Sequence, residues 1–347
     1  ASIAVDRDGY IHVAYNMHNM PWQYAVSEKP GDISRFVFKG QRLTQADLDT
    51  VKHENKTVFP RLNSGAIPGN QITYPAFFTD RAGELYVTYR FALRPKRTYI
   101  ERTLAAGIAR YDRARKKWSA IGGPIPVGSS DADLPAGTRV AQAWPFAYNH
   151  TLTVYPPRLW FDRNNGMHAT WVWRNGGAGI DATRPTYAYS PDGGHTFYRS
   201  DGRRYPPAIA LKDVEILPYV FYGRFFTMTA VTANRAGRVT FGLQPVDGTG
   251  IRITHVPGGS WTSPETAPLN AGAPFVDDAD REWSIATGPV ILRRAGNAVP
   301  GSRWTEVYRD TGWCLPKVLP WPGERAFLVH LQACDNTTVK IIKVTAP

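Results

Sequence analysis

Polar turns that lead into alternating strands recur along this chain. The first is Asp6-Arg7-Asp8-Gly9, followed by Tyr10-Ile11-His12-Val13-Ala14-Tyr15, in which side chains alternate between two faces. Asp80-Arg81-Ala82-Gly83 repeats the turn ahead of Glu84-Leu85-Tyr86-Val87-Thr88-Tyr89-Arg90. Asp162-Arg163-Asn164-Asn165-Gly166 repeats it ahead of Met167-His168-Ala169-Thr170-Trp171. Asn234-Arg235-Ala236-Gly237, ahead of Arg238-Val239-Thr240-Phe241, is a weaker fourth copy. The glycine supplies the positive φ such a turn needs, and the period of two after it defines a strand. The copies lie roughly 70 to 85 residues apart, with other strand pairs between them, among them residues 23–27 and 107–112. Helical periodicity is confined to one short turn at residues 45–52. Repeated short strands over this length predict an all-β chain folded as a β-propeller, in which each small sheet buries its faces by stacking on its neighbours. Nothing marks a domain boundary, so residues 1–347 are read as one propeller domain.

A sharper motif is Ser190-Pro191-Asp192-Gly193-Gly194-His195-Thr196-Phe197, which fits the Asp-box pattern Ser-x-Asp-x-Gly-x-Thr-aromatic. Its Asp and Ser side chains satisfy backbone N–H groups in a hairpin turn, and its aromatic fills the gap between sheets. The motif belongs to the fold and is expected on a peripheral turn away from any active site.

Composition narrows the class. With 347 residues, 43% of them hydrophobic, the chain has material for a large core. Its 31 Gly and 28 Pro are scattered as turn punctuation, and 11 Trp with 17 Tyr suit strands and sugar-stacking surfaces. No apolar run approaches the length of a membrane span, so no membrane association is expected. The chain opens directly on strand-like Ala1-Ser2-Ile3-Ala4-Val5, so any export leader has been cut away, with some mature sequence possible beside it. Against 29 Asp and Glu stand 41 Lys and Arg, a net charge of +12 that attracts polyanions. The charges are dispersed and carry no zinc-finger or RNA-binding signature, which argues against nucleic acid and for an acidic polysaccharide. Two cysteines, Cys314 and Cys334, are too few for a four-cysteine metal site; they are a disulfide or two free thiols.

Candidate chemistry starts at Tyr74 and Arg90. They lie at the two ends of a strand-turn-strand unit, so antiparallel pairing brings them together. A phenol beside a fixed positive charge suits chemistry on an acidic sugar, although a packing tyrosine and an ion-paired arginine have the same spacing. Of eight histidines, His12 and His168 occupy the same place in two repeats and are read as structural, and His195 belongs to the Asp box. His18 breaks the pattern, in a polar segment at a strand end, where function concentrates. Asn149 and His150 precede the third repeat, and Arg174 ends Trp171-Val172-Trp173-Arg174 as Arg90 ends its own strand. No phosphate loop, nucleophile elbow or His-Glu-x-x-His motif occurs. The candidate carboxylates of a glycosidase, Asp112, Asp162 and Asp192, are better explained by turn chemistry.

Asp8-Gly9-Tyr10-Ile11-His12-Val13 with His18 and Tyr24-Ala25-Val26-Ser27, then Thr73-Tyr74-Pro75 with Tyr89-Arg90, then Trp171-Val172-Trp173-Arg174 with Tyr187-Ala188-Tyr189-Ser190 and the Asp box, occur in that order. This combination, over about residues 1–200, resembles the BNR-repeat polysaccharide lyases, a group that includes ulvan lyases and rhamnosyl-glucuronate lyases. The resemblance implies a seven-bladed β-propeller of four-stranded antiparallel sheets. It implies cleavage of a uronate-containing acidic polysaccharide by β-elimination, with Arg90 neutralising the carboxylate, His18 as base and Tyr74 as acid or as both. Asn149, His150 and Arg174 become candidates for substrate binding. A second histidine of the family pattern falls just before Ala1, and Ile180-Asp181-Ala182-Thr183 diverges from that pattern. No metal or organic cofactor is required, with room for a structural cation. A secreted or periplasmic monomer is expected. A non-catalytic carbohydrate-binding propeller and a propeller glycoside hydrolase are the alternatives.

Overall fold

The computed structural model describes residues 2–41, 67–68, 72–92, 104–127, 141–149, 152–175, 182–219, 221–222, 228–244, 250–266, 275–277, 279–285, 290–294, 304–321, 326–335 and 337–345. The expected helical turn at residues 45–52 lies outside them. The described residues are all-β, apart from one 3-10 turn at Leu211–Asp213.

The first strands are β1 (Ser2–Val5), β2 (Ile11–Ala14), β3 (His18–Met20), β4 (Tyr24–Ser27) and β5 (Phe36–Phe38). β6 (Ile72–Thr79), β7 (Leu85–Ala92), β8 (Leu104–Asp112), β9 (Lys117–Ile121), β10 (Ile125–Val127), β11 (Ala141–Ala143) and β12 (Ala147–Tyr148) follow. Then come β13 (Leu152–Val154), β14 (Arg158–Phe161), β15 (Met167–Asn175), β16 (Ala182–Ser190), β17 (Ile209–Ala210) and β18 (Phe221–Tyr222). The C-terminal part holds β19 (Met228–Ala233), β20 (Val239–Gln244), β21 (Ile251–His255), β22 (Glu265–Thr266), β23 (Phe275–Val276), β24 (Glu282–Ile285), β25 (Val290–Arg294) and β26 (Trp304–Arg309). β27 (Trp313–Trp321), β28 (Ala326–Ala333) and β29 (Val339–Thr345) close the order.

These strands form seven sheets, one of them the two-stranded pair β10-β11. Three have the four-stranded antiparallel form, ordered β1-β2-β4-β5, β19-β20-β21-β22 and β23-β24-β25-β26. The second blade is enlarged: β3-β6-β7-β8 is extended by β9 and β12, which share β8, and β17 joins β12 in a parallel pair. The third blade is built on β15 and β16, and β27-β28-β29 is three-stranded. The apolar clusters lie between consecutive sheets. One holds Tyr24 and Val26 of the first blade against Leu85, Val87 and Tyr89 of the second. The next holds Tyr86 and Ile108 against Trp171 and Trp173 of the third. Middle strands are therefore covered on both faces, and every residue of β7 is buried. That is the stacking economy of a β-propeller.

The recurrent turn explains how each blade is held. Asp6 Oδ1 accepts the N–H groups of Asp8 (3.0 Å) and Tyr10 (2.9 Å), and Asp80 and Asp162 do the same in the next two blades. The second oxygen takes a side-chain donor six residues on: His12 at 3.1 Å, His168 at 3.2 Å and, in a fifth copy, Trp283 at 2.7 Å from Asp277. This fifth turn escapes the sequence pattern because Asp280, not glycine, carries the positive φ of 66°. In the third copy that place belongs to Asn165 (φ 64°) and not to Gly166. Both substitutes gain a function glycine lacks. Asn165 Oδ1 accepts the Arg81 N–H of the preceding blade at 2.8 Å, and Asp280 Oδ1 accepts that of Arg235 at 2.7 Å.

His12 and His168 are structural, as their regular placement suggested. Each is tied on its other side to a tyrosine hydroxyl, Tyr24 at 2.6 Å and Tyr187 at 2.8 Å. The Asp box forms as expected, with Gly194 N–H on Ser190 Oγ (2.8 Å) and Thr196 N–H on Asp192 Oδ1 (2.9 Å). Its Gly193 sits against the Tyr86 hydroxyl. Tyr86 pairs with Phe78 beside the Asp80 turn, the end of β6 opposite Tyr74. Cys334 is disulfide-bonded, and Cys314 is the only other cysteine in the chain. Closing a loop of about this length contributes about 3 kcal/mol in the chain-entropy model.

Burial lowers the pKa of His12, outweighing the opposing hydrogen bond and charge of Asp6. As pH falls, the unfolded chain takes up this proton first, so stability is lost below the ordinary histidine value of about 6.5. The thermal midpoint of the parent should drop on going from pH 7 to pH 5, and a His12→Gln variant should be less stable at pH 7 but flatter over that interval. Parallel pH profiles for the two proteins would refute this account.

Candidate active site

The site grows from a β-bulge in β6. Thr73 pairs with Arg90 and Ala76 with Thr88, so Tyr74 and Pro75 together oppose Tyr89 alone. Proline cannot donate to the ladder and is at home in such a bulge. Tyr74 takes a φ of 55°, a conformation costing on the order of 1–3 kcal/mol for a non-glycine residue. The bulge turns its side chain out, leaving it 42% exposed on a strand whose neighbours are largely covered. His18 is also exposed, but not in a loop as the sequence suggested. It opens β3, which hydrogen-bonds along the free edge of β6, His18 opposite Thr73. The physical reason is that β6 begins at a sheet edge whose backbone groups need partners.

Arg90 lies on β7, with the even-numbered positions that face the third blade, and is 1% exposed. Its guanidinium carbon is 4.9 Å from the centre of the Tyr74 ring and 5.2 Å from that of Tyr155. The two rings stack, centroids 5.9 Å apart and planes 16° from parallel. His18 meets Tyr74 edge-on at 5.7 Å. Among the described residues Arg90 has no carboxylate partner, and its Nε and Nη1 are buried without a hydrogen-bond acceptor. Cation–π contact recovers about 0.5–2 kcal/mol per ring, far less than burying an unpaired ion costs. Other buried arginines here are neutralised: Arg252 meets Glu282 at 3.2 Å and Glu265 at 2.6 Å, and Arg281 meets Asp277 at 2.7 Å.

The structure thus brings His18, Tyr74 and Arg90 together and adds Tyr155, which sequence reasoning missed. A signal was present: Tyr74-Pro75 and Tyr155-Pro156 stand six and seven residues ahead of the turn aspartates Asp80 and Asp162. Tyr155 is held by its N–H on the Val172 carbonyl at 3.1 Å. Asn149 is part of the loop architecture, its Oδ1 accepting the Leu152 N–H at 2.9 Å. His150 lies outside the described residues. Arg174 is on β15 opposite Thr153, one strand from the segment that carries Tyr155, and its side chain lies outside the described residues.

The chain belongs to the BNR repeat-containing family, whose model matches residues 1–267. No curated protein matches it. Among solved structures it is similar to the polysaccharide lyase Uly1, with 14% identity, a TM-score of 0.67, and 99% of this chain and 76% of that one covered. It is also similar to an ulvan lyase bound to -[GlcA(1-4)Rha3S]-, with 11% identity, a TM-score of 0.59, and coverage of 99% and 78%. At these identities the likeness is one of fold, a β-propeller.

The contrast between Arg90 and Arg252 is measurable. Arg252→Gln removes the guanidinium that meets buried Glu282 and Glu265, and should cost about 3–5 kcal/mol in denaturant unfolding. Arg90→Gln breaks no ion pair and should cost distinctly less. Equal losses would show that Arg90 has a counter-ion.

Proposed function

We propose that this protein is a polysaccharide lyase that cleaves a uronate-containing acidic polysaccharide by β-elimination. The observation that carries the reading is the uncompensated Arg90 guanidinium beneath an exposed tyrosine and histidine. A buried cation without an anion is a standing cost in the free protein and a ready receptor for a carboxylate. Binding the uronate there withdraws charge from its carboxylate and acidifies the C5 proton. A neutral His18 imidazole takes that proton, the C4–O4 bond breaks as the C4–C5 double bond forms, and the Tyr74 hydroxyl protonates the departing oxygen. Tyr74 can serve as both base and acid if the phenol is ionised first. The Tyr74 ring covers Arg90, so the carboxylate reaches the guanidinium only as that ring turns aside. Asn149, His150 and Arg174 are kept as candidates for substrate binding.

The net charge of +12 and the exposed ring of Tyr74 fit an acidic glycan. The similarity to two solved lyase structures is consistent with the reading. The disulfide at Cys334 suits a secreted or periplasmic location. Among the described residues no helix is long and apolar enough to cross a membrane. The protein is taken to act as one propeller domain over residues 1–347 and as a monomer, without an organic cofactor. A propeller hydrolase is the second reading, but it requires two opposed carboxylates, and His18, Arg90 and Tyr155 about Tyr74 provide none.

Incubation with ulvan, gum arabic and other uronans should generate the ultraviolet absorbance of an unsaturated uronate. Reducing ends without that absorbance would identify a hydrolase, and neither signal a binding module. Tyr74→Phe should fold normally and lower turnover by about two to four orders of magnitude. Arg90→Lys keeps the charge but loses the fork, and should also be strongly impaired. Parental rates in Tyr74→Phe would exclude this mechanism.

A further inference from the structure

Arg90 is not the only guanidinium without a partner. Arg184 lies on β16, half-buried, and its Nη1 is fully buried with no hydrogen-bond acceptor. Among the described residues it makes no ion pair and no cation–π contact. Its cross-strand neighbour is Trp173 on β15, itself wholly buried, and the Trp173 Nε1–H is likewise without an acceptor. Directly opposed residues of an antiparallel pair share a face, with Cβ atoms about 5 Å apart. The two residues therefore share one face of the sheet, each with a buried donor that has no hydrogen-bond acceptor.

Their place relates them to the active site. Trp173 packs in the cluster between the second and third blades, with Ala106 and Ala147. Ala106 pairs with Arg90 on one side and Ala147 on the other, so Arg184 faces the same inter-blade seam as Arg90. Trp173 also pairs with Val154, the residue before Tyr155, whose ring contacts Arg90. Arg184 is thus two strands outward from the Tyr155 segment, about 10 Å at ordinary strand spacing. That is too far for the carboxylate bound at Arg90, yet it lies along the same seam.

We propose that Arg184, cross-strand from Trp173, is a second anion subsite that takes the carboxylate or sulfate of a sugar other than the one cleaved. The inference rests on the reading that the cleft holds an acidic glycan. A planar fork suits either anion through paired hydrogen bonds, and the apolar surroundings strengthen such a contact while leaving it costly when empty. The subsite would make the protein respond to the charge pattern of the polymer and not only to one uronate.

The test uses the whole protein in a Tyr74→Phe background, so that polymer stays intact, with ulvan, desulfated ulvan and carboxyl-reduced ulvan as probes. Arg184→Gln should bind the preferred probe about tenfold or more weakly, with a shallower salt dependence, and Arg184→Lys should fall between. The thermal midpoint of unliganded Arg184→Gln should be equal to or above the parent's, because the buried Nη1 donor without an acceptor has been removed. Loss of the Arg184 effect on desulfation assigns the anion as sulfate, and loss on carboxyl reduction assigns it as carboxylate. Unchanged affinity and salt dependence in Arg184→Gln, with the parent binding well, would overturn the subsite and leave the lyase reading standing. A fall in thermal midpoint in both variants together with their loss of binding would also overturn it, marking Arg184 as structural. Failure of the parent to bind any of the three probes would remove the acidic-glycan reading and the subsite with it.

Discussion

A turn carboxylate organises four of the blades of this molecule. Each turn aspartate divides its two oxygens between tasks. One satisfies backbone N–H groups that the turn leaves unpaired; the other fixes a side chain in the strand that follows at Asp6, Asp162 and Asp277, and at Asp80 it accepts Asn165 of the next blade's turn. A buried anion with all its bonds made is inexpensive, and one without them is not. The turns therefore set both the start of each hairpin and the orientation of the residue six positions on. Where asparagine or aspartate replaces glycine at the positive-φ position, the same turn also binds the blade before it. Blade order is thus stitched at the turn end, leaving the opposite ends free to diverge.

The opposite end is where the second blade departs from regularity. Stacking covers both faces of a middle strand, so a charged residue on β7 is buried whether or not it has a partner. Arg90 is in that position, and its aromatic contacts do not replace an anion. Gly107 is a related accommodation on β8, since any side chain there would overlap the Tyr89 ring beside Arg90. The strained Tyr74 bulge brings a second cost to the same place. Two local costs converging on one surface opening fit a site whose stability is traded for binding.

The same logic separates ion pairs that hold the fold from charges held in reserve. Arg252, Arg281 and Arg113 all meet carboxylates, and they tie strands or blades together. Arg90 and Arg184 meet none among the described residues, and both face the seam between the second and third blades. An excess of +12 is by itself only a statement about the surface. The placement of the unpaired members turns it into a statement about the seam between the second and third blades.

Much of this was legible in the sequence, because its information is local. The Asp-x-x-Gly turns, the period of two after them and the Asp box encode their own geometry within a few residues, and the β-propeller follows from their repetition. The pairing of Tyr74 with Arg90 was legible too, since a hairpin relates residues at its two ends by counting from the turn. What counting could not supply was contact between blades. Tyr155 stacks on Tyr74 from 81 positions away, and no strand pairing connects them. His18 joins β6 and leaves the first blade, because an edge needing hydrogen bonds took the nearest free segment. The fifth turn was hidden because Asp280 takes a conformation usually left to glycine. Whether Arg90 had a counter-ion was open in the sequence, which contains 29 acidic residues as candidates. Tertiary structure decided it, since only the stacking of blades determines which charges share a buried space.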